Sequence, residues 1–182
     1  MAYSTQHSII KIAIVGPESS GKSTLSELLA KEFNDVLVTE FARNYITQLT
    51  TKYTVADIEY ISIHQKILEA EGFLHAKKYL FCDTNLLVTK IWADYVFGTK
   101  IKYIEDNYDP LNYTLHFLCD IDIPWSPDPL RENPDYDERK KIFDIYENDL
   151  KKSGANYFVV SGDIEYRLQF CKQKIKSFGF NL

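Results

Sequence analysis

Gly16-Pro17-Glu18-Ser19-Ser20-Gly21-Lys22-Ser23 governs how the rest of the chain is read. It matches G-x-x-x-x-G-K-[ST]. The glycines let the backbone curl until successive N–H groups, and the positive end of the next helix, point at phosphate oxygens. In that pattern Lys22 bridges the outer phosphates and the Ser23 hydroxyl ligates Mg²⁺. The mechanism requires a buried strand before the loop and an amphipathic helix after it, and both are present. Ile9-Ile10-Lys11-Ile12-Ala13-Ile14-Val15 is β-branched and nearly continuous, as a strand covered on both faces should be. Leu25, Leu28, Leu29 and Phe33 then fall on one helical stripe that closes near Asn34 and Asp35.

Further along, strands and helices alternate to the end of the chain. Val36 to Thr39 reads as a second strand, followed by an amphipathic stretch from Phe41 to Leu49. Thr54 with Asp57 three residues on forms a capping box for a long helix carrying Ile58, Ile61 and Leu68. Tyr79 to Cys82 is a third strand ending at Asp83, and Leu86 to Phe97 a helix broken by Gly98. Ile101 to Tyr108 reads as a short helix and Tyr113 to Cys119 as the fourth strand. Residues 120–134 turn polar and hold Pro124, Pro127, Pro129 and Pro134, which places a loop there. A helix through Ile142, Ile145, Tyr146 and Leu150, ended by Ser153-Gly154, precedes a fifth strand at Tyr157 to Val160. Asp163 caps a last helix carrying Leu168, Cys171, Ile175 and Phe178. The expectation is a three-layer α/β sandwich of the P-loop NTPase type: a mostly parallel five-stranded sheet with helices on both faces. Residues 1–182 are expected to form a single domain, with a lid at about 121–140.

Composition narrows the function classes. The chain has 182 residues, of which 45% are hydrophobic and 14% aromatic, enough for a packed core rather than disorder. Its net charge of −5, with basic residues scattered, argues against a nucleic-acid backbone footprint. No apolar run reaches the roughly 20 residues of a membrane span, and Met1 to Gln6 lacks a signal-peptide pattern, so a soluble, cytoplasmic protein without a membrane partner is expected. Cys82, Cys119 and Cys171 are far apart and read as buried free thiols. His7, His64, His75 and His116 are dispersed and give no zinc spacing.

Several residues outside the loop carry chemistry. Asp83 follows a hydrophobic strand, as a Walker-B-type acid for Mg²⁺ does. A helix N-cap is its alternative role. Glu40 ends the second strand and faces the same crevice, where it can accept a hydroxyl proton. Pairing with Arg43 is the plainer reading. Arg131, in the proline-rich loop with Asp128, is placed to reach a transferring phosphoryl group, an effect worth about 10³–10⁵ in rate. Arg139, in the helix beyond, is a second candidate for that role, with a solvated charge as its plainer reading, and His64-Gln65 read as helix residues rather than catalytic ones. Trp92, Tyr95, Trp125 and Tyr136 could stack on a flat base, though most aromatics must be core. The absence of N-K-x-D, D-x-x-G and L-S-G-G-Q segments disfavours a regulatory GTPase or a transporter ATPase. Two classes stay open: an ATP- and Mg²⁺-dependent kinase of a small nucleoside-like molecule, and a nucleotide-gated module read by a protein or lipid partner.

Glu18 to Ser23, Glu40-Phe41-Ala42-Arg43, His64-Gln65, Asp83-Thr84, and Asp120 to Trp125 leading to Asp128 and Arg131 together resemble the C-terminal ribosylnicotinamide kinase domain of the NadR family, an AAA-like P-loop domain. The resemblance implies transfer of the ATP γ-phosphate to the ribose 5′-hydroxyl of nicotinamide riboside, giving nicotinamide mononucleotide. It implies that Gly16, Glu18, Ser19, Ser20, Gly21, Lys22, Ser23 and Thr24 hold the triphosphate and that Ser161-Gly162-Asp163 lies beside adenine. It also implies that Glu40, Arg43, Asp83 and Asp128 face the riboside, with Arg131 in the lid. Two departures stand out. The chain begins within a few residues of its first strand, without the family's adenylyltransferase domain, so dinucleotide synthesis is not expected of it. Thr39 stands where the family carries a tryptophan that stacks on nicotinamide.

Overall fold

The computed structural model describes residues 9–128 and 131–179. Met1 to Gln6, His7 and Pro129 therefore lie outside the described residues. The elements are β1 (Ile10–Val15), α1 (Lys22–Phe33), β2 (Val36–Val38), α2 (Phe41–Ile46), α3 (Val55–His75), β3 (Tyr79–Asp83), α4 (Leu86–Phe97), α5 (Lys102–Asn107), β4 (Leu115–Cys119), α6 (Tyr136–Ser153), β5 (Tyr157–Val160) and α7 (Ile164–Gly179). The five strands form one sheet in the order β2-β3-β1-β4-β5, and every pairing is parallel. Because β1 pairs with β3 on one side and β4 on the other, the chain leaves its carboxyl end in both directions. That switch point is where open α/β sheets form their ligand crevice.

Alternation along β1 builds the two halves of the core. Ile10, Ile12 and Ile14 pack with Leu25 and Leu29 of α1 and with Leu168, Cys171 and Ile175 of α7. Ala13 and Val15 face the other way, against Leu87 and Ile91 of α4 and Ile142, Phe143, Tyr146 and Leu150 of α6. The three cysteines are free and buried, as the sequence implies. Thr54 and Asp57 form the capping box at the start of α3. Several boundaries move inward, the largest shifts being that α2 stops at Ile46 and β4 starts only at Leu115. The chain before β4 is taken up by a 3-10 turn over Pro110–Asn112, capped by Asp109.

The α1–β2 corner is fastened by one carboxylate. Asp35 accepts the backbone N–H groups of Val36 (2.9 Å) and Lys77 (3.0 Å) on Oδ1, and those of Lys78 and Tyr79 (both 2.9 Å) on Oδ2. Burial pulls its pKa up, but the backbone donors, led by Lys77, outweigh it and hold the carboxyl below its usual range. Asp35→Ala leaves these N–H groups without their acceptor and is expected to cost about 2–3 kcal/mol at pH 7. A lowered folded pKa means the contribution is present above the unfolded value, near 3.9, and is lost as pH falls through the folded one. Urea unfolding at pH 7 and pH 3 checks this: the gap between variant and parent is wide at pH 7 and shrinks at pH 3.

Candidate active site

A cleft of about 1210 Å³ opens at the carboxyl end of the sheet. One wall is the loop from Gly16 to Thr24. The opposite wall is made of Thr39, Glu40 and Arg43, the segment Leu49–Tyr53, and the α4 residues Val88, Ile91, Trp92, Tyr95, Val96 and Phe97. Asp128, Arg131, Glu132 and Asn133 border it from the proline-rich segment expected to be a lid, and Ile142 and Tyr146 from α6.

Backbone conformation explains the glycines of the loop. Gly16 adopts φ 138°, and a Cβ there would sit 2.7 Å from the Cys119 carbonyl oxygen at the end of β4. Gly21 has φ 81°, with Ile123 of the lid 2.9 Å from the position of a Cβ. Ser19 takes a left-handed φ of 54° without being glycine, a local strain typical of loops whose shape is fixed by function. Lys22 Nζ donates to the Pro17 carbonyl at 2.7 Å, so the lysine is held across the loop rather than extended into solvent.

Asp83 is buried at the end of β3 and shares a hydrogen bond with Ser23. Its Oδ1 has no hydrogen-bond partner among the described residues. Burial raises its pKa, the nearby Glu40 charge adds to the rise, and Ser23 and Lys22 oppose it, leaving the carboxyl at about 6. The N-cap alternative for Asp83 falls away, because Asn85 caps α4 by accepting the Leu87 N–H. An orphaned buried carboxylate oxygen beside a hydroxyl is a hard oxygen donor set. It suits Mg²⁺, an ion that leans on one or two protein oxygens plus water and phosphate.

Glu40 immediately precedes α2 and makes no capping hydrogen bond with its side chain, which leaves the carboxylate available. Its position is set by Gln65, buried in α3. That side chain accepts the Phe41 N–H at 2.9 Å and donates to the Thr39 carbonyl at 3.4 Å, so it grips the backbone on both sides of Glu40. His64 stacks on Phe41 and Tyr60 instead of reaching the cleft. Arg43 does not pair with Glu40. It meets Asp128 of the lid at 3.1 Å.

The lid is seated on the loop by contacts remote in sequence. Glu18 accepts the backbone N–H groups of Glu132 (3.0 Å) and Asn133, and Ser19 Oγ accepts that of Ser126 (3.3 Å). Arg131 donates to the Ser126 carbonyl at 2.6 Å and to the Ser126 hydroxyl, so it is engaged inside the lid. Gly162 and Asp163 are exposed and do not border the cleft. They reach the loop through Arg167, which is fully buried. Its guanidinium donates to Gly162 O and Ser20 O (both 2.8 Å), Asp120 O (3.4 Å) and the Asp122 carboxylate. Arg167 and Gln65 escape a reading of local pattern because each binds backbone far away in sequence. Arg139 corrects the expectation of a solvated charge: it is 4% exposed, on the face of α6 that packs against the sheet.

The AAA domain family pattern matches residues 11–167. The chain belongs to the AAA domain family. Among curated relatives, this AAA domain is similar to the trifunctional NAD biosynthesis/regulator protein NadR of Salmonella typhimurium, 27% identical over 173 residues that cover 91% of the chain and 42% of the relative. The chain thus spans about two fifths of the length of the curated relatives it matches. Among solved structures it is similar to thymidylate kinase from Ehrlichia chaffeensis, with TM-score 0.68, 18% identity, and coverage of 91% of this chain and 98% of the other. NadR protein has been solved in complex with NAD and AMP-PNP and in complex with NR. The first gives TM-score 0.64 at 18% identity over 85% of this chain and 44% of the other, the second 0.63 at 19% over 84% and 43%. The resemblance to NadR and the parallel α/β sandwich expected from the sequence are therefore both found.

Proposed function

We propose that this protein is an ATP-dependent kinase of a nucleoside hydroxyl, with nicotinamide riboside as the acceptor. The observation that carries the reading is the two-sided cleft. The loop from Gly16 to Thr24, the aromatic side chains of Tyr53, Trp92, Tyr95 and Phe97, and the carboxylates of Glu40 and Asp83 all line it. Its volume of about 1210 Å³ exceeds the roughly 300–1,000 Å³ that a single small ligand occupies, which favours a donor and an acceptor bound together. Thr39 offers no ring to a nicotinamide, but Tyr53 and Trp92 meet edge-to-face 4.7 Å apart in the facing wall and offer one. The NadR homology, and the NR and AMP-PNP bound to its structural relatives, support both the reaction class and the acceptor.

In this scheme the loop from Gly16 to Thr24 orients the triphosphate and Lys22 neutralises charge on the outer phosphates. Glu40 accepts the proton of the attacking hydroxyl, and Arg43 and Asp128 position the acceptor. Ser23 and Asp83 would hold Mg²⁺, which when bound supplies positive charge to the phosphate oxygens. Gly162 and Asp163, which stand outside the cleft, act on it only through Arg167, whose guanidinium also holds the Ser20 carbonyl, and Arg131 is carried by the lid. Positioning and electrostatics then do most of the work, as phosphoryl transfer requires.

The test is a panel of nucleosides incubated with ATP and scored for ADP release and phosphorylated product. Nicotinamide riboside is expected to give the highest kcat/KM, and Glu40→Gln to lower that kcat about 10²-fold. Tight nucleotide binding, slow hydrolysis and no stimulation by any nucleoside would instead identify a nucleotide-gated module.

A further inference from the structure

Tyr113 and Tyr146 are the two buried tyrosines among the described residues. A phenol taken out of water normally bonds its O–H, because a buried polar group without a partner costs about 1–3 kcal/mol. Tyr113 does so: its hydroxyl meets both oxygens of the Glu69 carboxylate at 2.8 Å. The half-buried Tyr108 and Tyr53 likewise reach Asp149 and Glu132, each at 2.7 Å. The Tyr146 hydroxyl, by contrast, makes no hydrogen bond among the described residues, although the side chain is only 3% exposed.

The position of Tyr146 indicates which partner is missing. It lies on the buried face of α6, one turn beyond Ile142, and both residues border the cleft that Glu40 and Asp83 also line. Burial, and after it the Glu40 charge, raise the Tyr146 pKa, so the hydroxyl keeps its proton and lies within the field of that carboxylate. The two are nevertheless not bonded to each other. A phenol donor and a carboxylate acceptor on one cleft, near enough to interact and without a direct bond, leave room for a group that accepts from one and donates to the other. A hydroxyl does both with a single oxygen. Glu40 has capacity for it: a carboxylate offers about four lone-pair sites on two oxygens, so it can receive a second hydroxyl beside the one that attacks. In a nucleoside the 5′ arm and the 3′-hydroxyl leave adjacent ring carbons, so a sugar that presents the first to Glu40 carries the second alongside.

We propose that Tyr146 is a specificity-determining residue whose hydroxyl donates a hydrogen bond to the 3′-hydroxyl of the acceptor, which in turn donates to Glu40; the inference rests on the kinase reading. Tyr146 neither gains nor loses a proton. Its effect is selection. A site built around a substrate hydroxyl leaves its own buried donor unpaired when an analogue lacks that group, which is why such sites discriminate far more sharply than apolar pockets do.

The experiment uses the full chain and Tyr146→Phe, which keeps the ring in the core and removes only the O–H. With ATP as donor, kcat/KM is measured for parent and variant, each on the best acceptor of the nucleoside panel and on its 3′-deoxy analogue. The parent is expected to prefer the 3′-hydroxyl compound by about 10²-fold. Tyr146→Phe should slow that compound by about 30-fold and leave the analogue unchanged, so that the preference shrinks to about threefold. The unfolding midpoint should hold, because no protein partner is lost with the hydroxyl. A preference unchanged in Tyr146→Phe overturns the proposal, and so does an equal loss on both acceptors, which would make the ring a packing residue. A lower midpoint would mean that the hydroxyl serves the fold, with the same consequence. A parent that phosphorylates the 3′-deoxy analogue as well as its hydroxylated counterpart overturns the proposal without any variant. If the parent phosphorylates no nucleoside, the kinase reading falls and takes this proposal with it, whereas any of the other failures removes Tyr146 alone.

Discussion

Lys22→Ala is expected to lower turnover by about 10³-fold or more while leaving the fold intact. Lys22 spends one donor on the Pro17 carbonyl, at 2.7 Å, and is only half-buried. The loss to stability is therefore that of one solvated hydrogen bond, about 0.5–1.5 kcal/mol. The loss to catalysis is larger, because the ammonium group acts on charge that grows along the reaction in a walled cleft rather than in water. Single-turnover rates with ATP and the best acceptor of the panel measure the first effect, and a thermal melt the second. A variant within tenfold of the parent would remove Lys22 from the chemistry and take the phosphate role of residues 16–23 with it.

Where sequence reading succeeded, the governing interaction is local. The loop with its flanking strand and helix, the capping box at Thr54 and Asp57, and Gly154 in its left-handed C-cap at φ 72° are each fixed within a few residues. Asp83 also stood out, because a carboxylate straight after four apolar strand residues has few structural uses. Beyond that range the signal is lost. Glu18 holds lid backbone 114 and 115 residues away, and Arg167 reaches a loop carbonyl across 147. Gln65 fixes the backbone on both sides of Glu40 through two bonds that would look the same in sequence if it merely faced solvent. Arg139 shows the limit most sharply. Its neighbours Glu138, Lys140 and Lys141 are charged and read as a solvated turn. The spacing to Ile142, Phe143 and Tyr146 that buries it resolves only once α6 is laid against the sheet. The sheet order has the same origin: parallel strands are joined by long crossovers, so which strands become neighbours is set by helix packing and not by any turn.

Asp83→Asn is expected to move stability and activity in opposite directions. Burial, reinforced by the Glu40 charge, lifts the Asp83 carboxyl from its model-compound value of 3.8 to about 6. A carboxyl whose folded pKa is raised favours the fold most below the unfolded pKa, and that advantage is lost as pH rises through about 6. At pH 7 to 8 the protein thus carries an ionised carboxylate in a site that prefers it neutral, at a cost of up to about 3 kcal/mol. Asparagine keeps the shape and a partner for the Ser23 hydroxyl but removes the charge. The variant should be more stable than the parent above pH 6, by an amount that closes to nothing as pH falls below 4. Turnover should fall by about 10²–10³-fold, because a neutral amide is a poor ligand for Mg²⁺ and does not replace the oxygen that Asp83 leaves unpaired. Unfolding midpoints at pH 4, 6 and 8, read beside the Mg²⁺ dependence of turnover, separate the two effects. Lower stability at pH 8 would mean that Asp83 is a structural anchor. Higher stability with activity intact would mean that the buried charge serves neither fold nor reaction. Only a gain in stability joined to a loss of turnover fits a carboxylate kept in an unfavourable place for its use in catalysis.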